Sequence, residues 1–260
     1  MAKKKSRDNM LGRILAYATF FLVAVIIVTM VQRKKSNRAT DVVFEIEALR
    51  SGDFLIKSED VLEIIERSFG HEIIGEPLGS LDMERMERVL ESASFILSAD
   101  AYVDAEEVVH LDIKQREPIV RIMDRDGQQY YLDHTGAKMK LSDHFTARVL
   151  VATGDIPPYD PAFSVAENNN LRRVFELTQK ILKDEFLENL IGQIHVSRKN
   201  ELQMVPIVGD QRIIVGNTEE LDDKIFRLKT FYQEAMSRMG WNKYKTINLK
   251  FRNQVVCKKR

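Results

Sequence analysis

The chain has 260 residues, and its 39 Lys/Arg balance its 39 Asp/Glu to a formal net charge of zero. The balance is uneven: residues 1–38 hold nine Lys/Arg against Asp8 alone, leaving 30 of the basic and 38 of the acidic residues to the rest, a net of −8. A mildly acidic body lacks the clustered basic face that nucleic acid requires. A single cysteine, Cys257, excludes an intrachain disulfide and a cysteine-based metal site.

The first element is the run ILAYATFFLVAVIIVTMV, residues 14–31, with no charge, proline or glycine. A hydrocarbon core roughly 30 Å thick takes about 20 apolar residues. The run therefore predicts a transmembrane helix over 14–32, behind a basic head, 1–13. A buried core helix is disfavoured, because the run is apolar on every face and starts almost at the N-terminus. A cleaved signal peptide has a shorter apolar region, about 7–15 residues, and a small-residue cleavage site. Here Gln32, Arg33, Lys34 and Lys35 follow instead. Lys3, Lys4, Lys5, Arg7 and Arg13 precede the span and Arg33, Lys34, Lys35 and Arg38 follow it. The positive-inside rule leaves the orientation open.

After a polar joint, Val43, Ile46 and Leu49 interleave with charged residues as a half-exposed strand. Ser58 is positioned as an N-cap of a helix with an apolar face (Val61, Leu62, Ile64, Ile65, Phe69), stopped by Gly70. Asp82 caps a second, short helix. The period then changes to two: Phe95, Leu97, Ala99, Ala101 and Val103, an acidic turn, then Val109, Leu111 and Ile113 predict a hairpin. Residues 42–117 thus read β-α-α-β-β.

A second unit begins near Ile119. Tyr130 to Leu132 run into a turn at Asp133–Gly136, and Arg148 to Thr153 form a short apolar run. Residues 171–186 predict one amphipathic helix. Short strands follow around Ile194, Leu202 and Ile213, then a long helix capped by Thr218 and stopped by Gly240. Ile247, Leu249 and Phe251 mark a closing strand that Val255 and Val256 extend. As the last element it is a sheet edge that offers unpaired backbone groups, an edge guarded by Lys250 and Arg252, or an ordinary central strand.

No catalytic, cofactor-binding or metal-ligating residue is predicted. The five histidines lack metal-ligand spacing; His134 and His144 fall in turns. No GxSxG, SxxK or Gly-rich phosphate loop is present, and the paired acids read as solvated faces.

Taken together, these residues resemble the FtsQ/DivIB family of bacterial cell-division proteins. The resemblance rests on the order of the basic head, the anchor, the β-α-α-β-β module, Gln115-Arg116-Glu117-Pro118-Ile119-Val120, Tyr130-Tyr131-Leu132-Asp133 with Gly136, Val149 to Gly154, and the closing Ile247-Asn248-Leu249-Lys250-Phe251. It implies an α+β chain: a single transmembrane helix, a POTRA-like domain over 40–118 and a β-rich domain with flanking helices over 119–257. It also implies a non-catalytic scaffold without cofactor or small-molecule substrate. Its head would be cytoplasmic and its body periplasmic or otherwise extracytoplasmic, held at the inner membrane of the division septum. FtsB-like and FtsL-like coiled-coil membrane proteins would be its partners, with one adding a strand to the terminal strand. By position, the contact would fall on Lys250, Phe251, Asn253 and Val255. Lys250 would meet a partner carboxylate and Phe251 an apolar pocket. Two other readings stand beside this one, an exported enzyme acting on peptidoglycan and a POTRA-type module of outer-membrane assembly.

Overall fold

A computed structural model describes residues 17, 19–27, 29, 36–236, 238, 240, 241 and 243–260. Within the apolar run, Tyr17, residues 19–27 and Thr29 are helical. The head 1–13 and the rest of the predicted span lie outside the described residues. Among the described residues, no helix is long and apolar enough to cross a membrane.

The described body divides into two units, the first ending at Lys114 and excluding residues 48–56, which belong to the second. In the first unit the order is β1 (Asp41–Glu47), α1 (Ser58–Phe69), α2 (Met83–Glu91), β2 (Ile96–Val103) and β3 (Val108–Gln115). This is the β-α-α-β-β order that the hydropathy pattern predicts. The three strands lie in the order β1-β3-β2, with β1 parallel to β3. Val61 and Ile65 of α1 and Met86 and Leu90 of α2 are buried, as are Val109, Leu111 and Ile113 of β3. In β2 it is Ile96 that is buried and Leu97 that is exposed, so the predicted alternation holds only from Ala99 onward.

Helix ends follow local chemistry. Asp82 caps α2 as predicted, accepting from the Arg85 amide at 2.9 Å. The α1 cap lies one residue before the predicted Ser58. Lys57 is extended, and the Asp60 carboxylate reaches back to its amide at 2.8 Å. Gly70 ends α1 at φ +78°, a backbone state that favours glycine.

The second unit carries β4 (Pro118–Met123), β5 (Gln129–Asp133), β6 (Lys138–Met139) and β7 (Leu150–Gly154). These are followed by α3 (Asn170–Leu182), α4 (Glu185–Leu190), β8 (Ile191–Val196), β9 (Leu202–Pro206), β10 (Arg212–Gly216), α5 (Leu221–Thr230), β11 (Tyr244–Asn248) and β12 (Val256–Lys259). The strands form one mixed nine-stranded sheet in the order β12-β11-β10-β9-β8-β7-β4-β5-β6. Pairs β4/β7, β7/β8 and β10/β11 are parallel. One apolar cluster joins inward strand residues such as Ile122, Ile194 and Ile213 to Leu171, Val174, Leu177 and Leu228 of the helices.

Three predicted features are corrected. The single helix over 171–186 is two, because Asp184 leaves the helix and its carboxylate caps α4 through the amides of Phe186 and Leu187. The cap of α5 is Glu220, at φ +50°, rather than Thr218. Finally, the closing strand is a hairpin, β11 and β12, separated by a turn.

The predicted turn at Asp133 is present and is an electrostatic anchor. Asp133 is fully buried, and its carboxylate accepts from the Thr135 amide and hydroxyl and from the Ala137 amide. The Arg116 guanidinium donates to it at 2.7 Å. Burial opposes ionisation, but the bonds from Thr135, Arg116 and Ala137 outweigh it and hold the pKa below the usual carboxylate range. A depressed carboxylate stabilises the fold above its unfolded pKa, near 4, and the gain is lost as pH falls through the folded value. Replacing Asp133 by Ala removes the carboxylate bonded by the Arg116 guanidinium and by the Thr135 and Ala137 amides, and is expected to cost about 3 kcal/mol in urea unfolding at pH 7. The penalty should shrink below about pH 4, where the wild type loses the same contribution.

Candidate partner-binding edge

The predicted contact residues sit in and beside the turn between β11 and β12, and the turn is held from below by α5. Arg227, four residues after Asp223 on the same helix face, pairs with the Asp223 carboxylate at 2.8 Å. Its guanidinium donates to the carbonyls of Phe251 (2.8 Å), Gln254 (2.6 Å) and Leu249 (3.3 Å). With its side chain 11% exposed, Arg227 satisfies three carbonyls that no strand ladder serves. Asn248 and Asn253 complete the bend. The Asn248 side chain accepts from the Lys250 amide at 3.0 Å, and Asn253 takes φ +58°, which asparagine tolerates better than most residues. This local chemistry is why the predicted strand breaks in two.

Lys250, the first of the four predicted residues, is engaged within the chain, its Nζ 2.7 Å from Glu201 Oε1. Its stem crosses Gly216, where a Cβ would come within 2.8 Å of Lys250 Cγ, so only glycine fits. Phe251 is 46% exposed, an aromatic ring presented to solvent. Asn253 is exposed at the tip, whereas Val255 packs against the core. Arg252 pairs with Glu220 at 2.7 Å. The four predicted residues thus share one turn but not one surface.

One edge of the nine-stranded sheet is β12. It pairs antiparallel to β11, with Cys257 opposite Ile247 and Val256 opposite Asn248. The Arg260 amide reaches back to the Lys243 carbonyl at 3.3 Å, and the Leu249 amide points the other way, to Ile214 of β10 at 2.9 Å. Since successive residues of a strand turn their backbone groups to opposite sides, Val256 and Lys258 face β11. Cys257 and Lys259 therefore direct N–H and C=O to the open edge. The Cys257 thiol lies on the core side, and its partial burial raises its pKa. Tyr232 lies in the π-helical turn Phe231–Met236 that follows α5. Burial, with the nearby Cys257, lifts its phenol to about 12. Its ring packs on Trp241 and Phe186, at 5.5 and 6.2 Å between centroids, and Phe231 packs on Tyr244 at 5.8 Å. This aromatic cluster backs the hairpin.

Among the described residues, no group of three or more His, Cys, Asp or Glu is placed to hold a metal ion. Replacing Arg227 by Gln is expected to cost about 3 kcal/mol, since it strips charged donors from three carbonyls and leaves Asp223 alone. Amide hydrogen exchange over 249–256 should accelerate at least about tenfold, more than exchange in β4 and β5. Equal acceleration throughout would mean that Arg227 acts on global stability and not on the turn.

The chain matches a family model described as FtsQ/DivIB, C-terminal related, over residues 117–258, and a POTRA-like domain model over residues 38–114. No curated protein matches it. The chain belongs to the FtsQ/DivIB family, the divisome scaffolds of bacterial cell division.

Proposed function

We propose that this chain is a non-catalytic scaffold anchored in the bacterial inner membrane by residues 14–32, with head 1–13 in the cytoplasm. The POTRA-like domain, 40–118, and the β domain, 119–257, lie on the extracytoplasmic side at the septum. The scaffold binds FtsB-like and FtsL-like coiled-coil membrane proteins, one of which adds a strand to β12. The observation that carries this reading is the open backbone of Cys257 and Lys259.

Other sheet ends have some of their edge groups occupied or are short. In β2, the Ala101 and Ala99 amides bond to Glu87 and Glu91 of α2 at 2.9 and 3.4 Å. In β1, the Val42 amide bonds to Asp41 at 2.8 Å, and β6 is only two residues long. By contrast, β12 offers outward backbone groups flanked by Lys258, Lys259 and the exposed Val256. A partner strand alternating acidic and apolar residues matches that edge. Phe251 supplies an aromatic anchor beside it, and Lys250 exchanges Glu201 for a partner carboxylate. The exposed apolar side chains of the helical residues 19–27, Phe20, Phe21 and Leu22 among them, support the membrane anchor.

The test is co-purification from detergent-solubilised membranes. Lys259→Pro removes an outward amide, and Lys259→Ala keeps it. The proline variant should lose small coiled-coil membrane partners by about tenfold, the worth of one or two backbone hydrogen bonds. The alanine variant should retain most of them. Equal recovery with both, in chains that fold normally by circular dichroism, would place the docking site elsewhere.

A further inference from the structure

A cleft that shares no lining residue with β12 or its turn lies in the second unit where the parallel strands β4, β7 and β8 begin. It encloses about 650 Å³, within the range of small-ligand sites. Its apolar lining includes Ile119 near the start of β4, Val149 leading into β7, Leu182 ending α3, and Ile207 just after β9.

Ile207 is the informative residue. It is 65% exposed, yet it is fixed. Its amide bonds to the Leu190 carbonyl at 2.8 Å, and its side chain lies over Gly192, where even a Cβ would come within 3.0 Å of Cγ1. A glycine that admits an exposed isoleucine serves no core. It shapes a rim.

Charge at the rim is unspent. Arg50 and Arg148 line the cleft, and neither guanidinium has an ion pair or hydrogen bond among the described residues. Glu117 is committed to the Arg50 amide at 2.7 Å. Glu188, in the first turn of α4 and on the same lining, has no ion pair or side-chain hydrogen bond among the described residues. His134 is exposed beside them. Two guanidinium groups and one carboxylate around these apolar side chains match a ligand that is apolar in its body and carries both charges at its ends.

We infer that this cleft binds a short apolar peptide with free termini, its carboxylate held by Arg50 and Arg148 and its amine by Glu188. The site goes beyond the scaffold reading and does not depend on β12.

The experiment uses the full chain in lipid nanodiscs, followed by methyl NMR of Ile119, Val149, Leu182 and Ile207. The probes are the tetrapeptide Leu-Ala-Val-Leu with free ends, its C-terminal amide, its N-acetyl form, and laurate. Saturable shifts confined to those methyls are expected with the free peptide. Binding should weaken about tenfold on amidation and about tenfold with Arg50→Gln/Arg148→Gln, and by a smaller factor on acetylation. Both arginines are exposed, so the double variant should fold, as circular dichroism checks. No saturable shift at millimolar peptide overturns the site. Shifts indifferent to amidation and to the arginine changes overturn the charge assignment. Laurate binding as tightly as the peptide overturns the peptide in favour of a fatty-acid ligand.

Discussion

An open β-sheet must end somewhere, and each end leaves backbone amides and carbonyls without a ladder partner. Most of what is specific in this chain follows from how it treats those ends. On β2 the glutamates of α2 reach over and occupy the edge amides. At the far end of the large sheet, β6 stops after two residues. Along β12 the chain instead extends an edge, backs it with Phe231, Tyr232 and Trp241, and leaves the groups of Cys257 and Lys259 outward. Guarding one edge and extending another is a division of labour suited to a scaffold of the divisome.

The turn that delivers β12 to the edge depends on buried charge. Arg227 makes a hub for three carbonyls and one carboxylate, and Gly216 clears the path of Lys250. The same device recurs elsewhere in the sheet domain. Arg173 gathers the carbonyls of Asn200 and Gly216, and the buried Lys224 holds the carbonyl and side chain of Asn217. Burial lowers the pKa of both cations. Loops that connect a nine-stranded sheet expose many carbonyls, and long cationic side chains from α3 and α5 reach them without breaking a helix.

The sequence made the regular elements legible wherever burial alternates cleanly. Val109, Leu111 and Ile113 mark β3, and Asp82 and Gly70 mark helix ends, because periodicity and capping are local. It misled where a side chain overrides the pattern. Asp184 looks like one more polar residue of a helix until its carboxylate is seen capping α4. The break after Asn248 depends on Arg227, more than twenty residues earlier, which no window of alternation includes. Consequently the residues named from the family resemblance share one turn but not one surface, with Phe251 exposed and Val255 packed inward. Cys257 and Lys259 carried no signal beyond a short apolar-basic run, since outward backbone direction is a property of pairing rather than of residue type.

The central claim is that β12 receives a partner strand, and residue-resolved hydrogen exchange tests it most directly. The full chain would be compared alone and with its co-purified membrane partners. The account predicts new protection at the amides of Cys257 and Lys259, the two that face the open edge, with little change at Val256 and Lys258, already bonded to β11. Unchanged exchange at Cys257 and Lys259 in a complex that is demonstrably bound would contradict it.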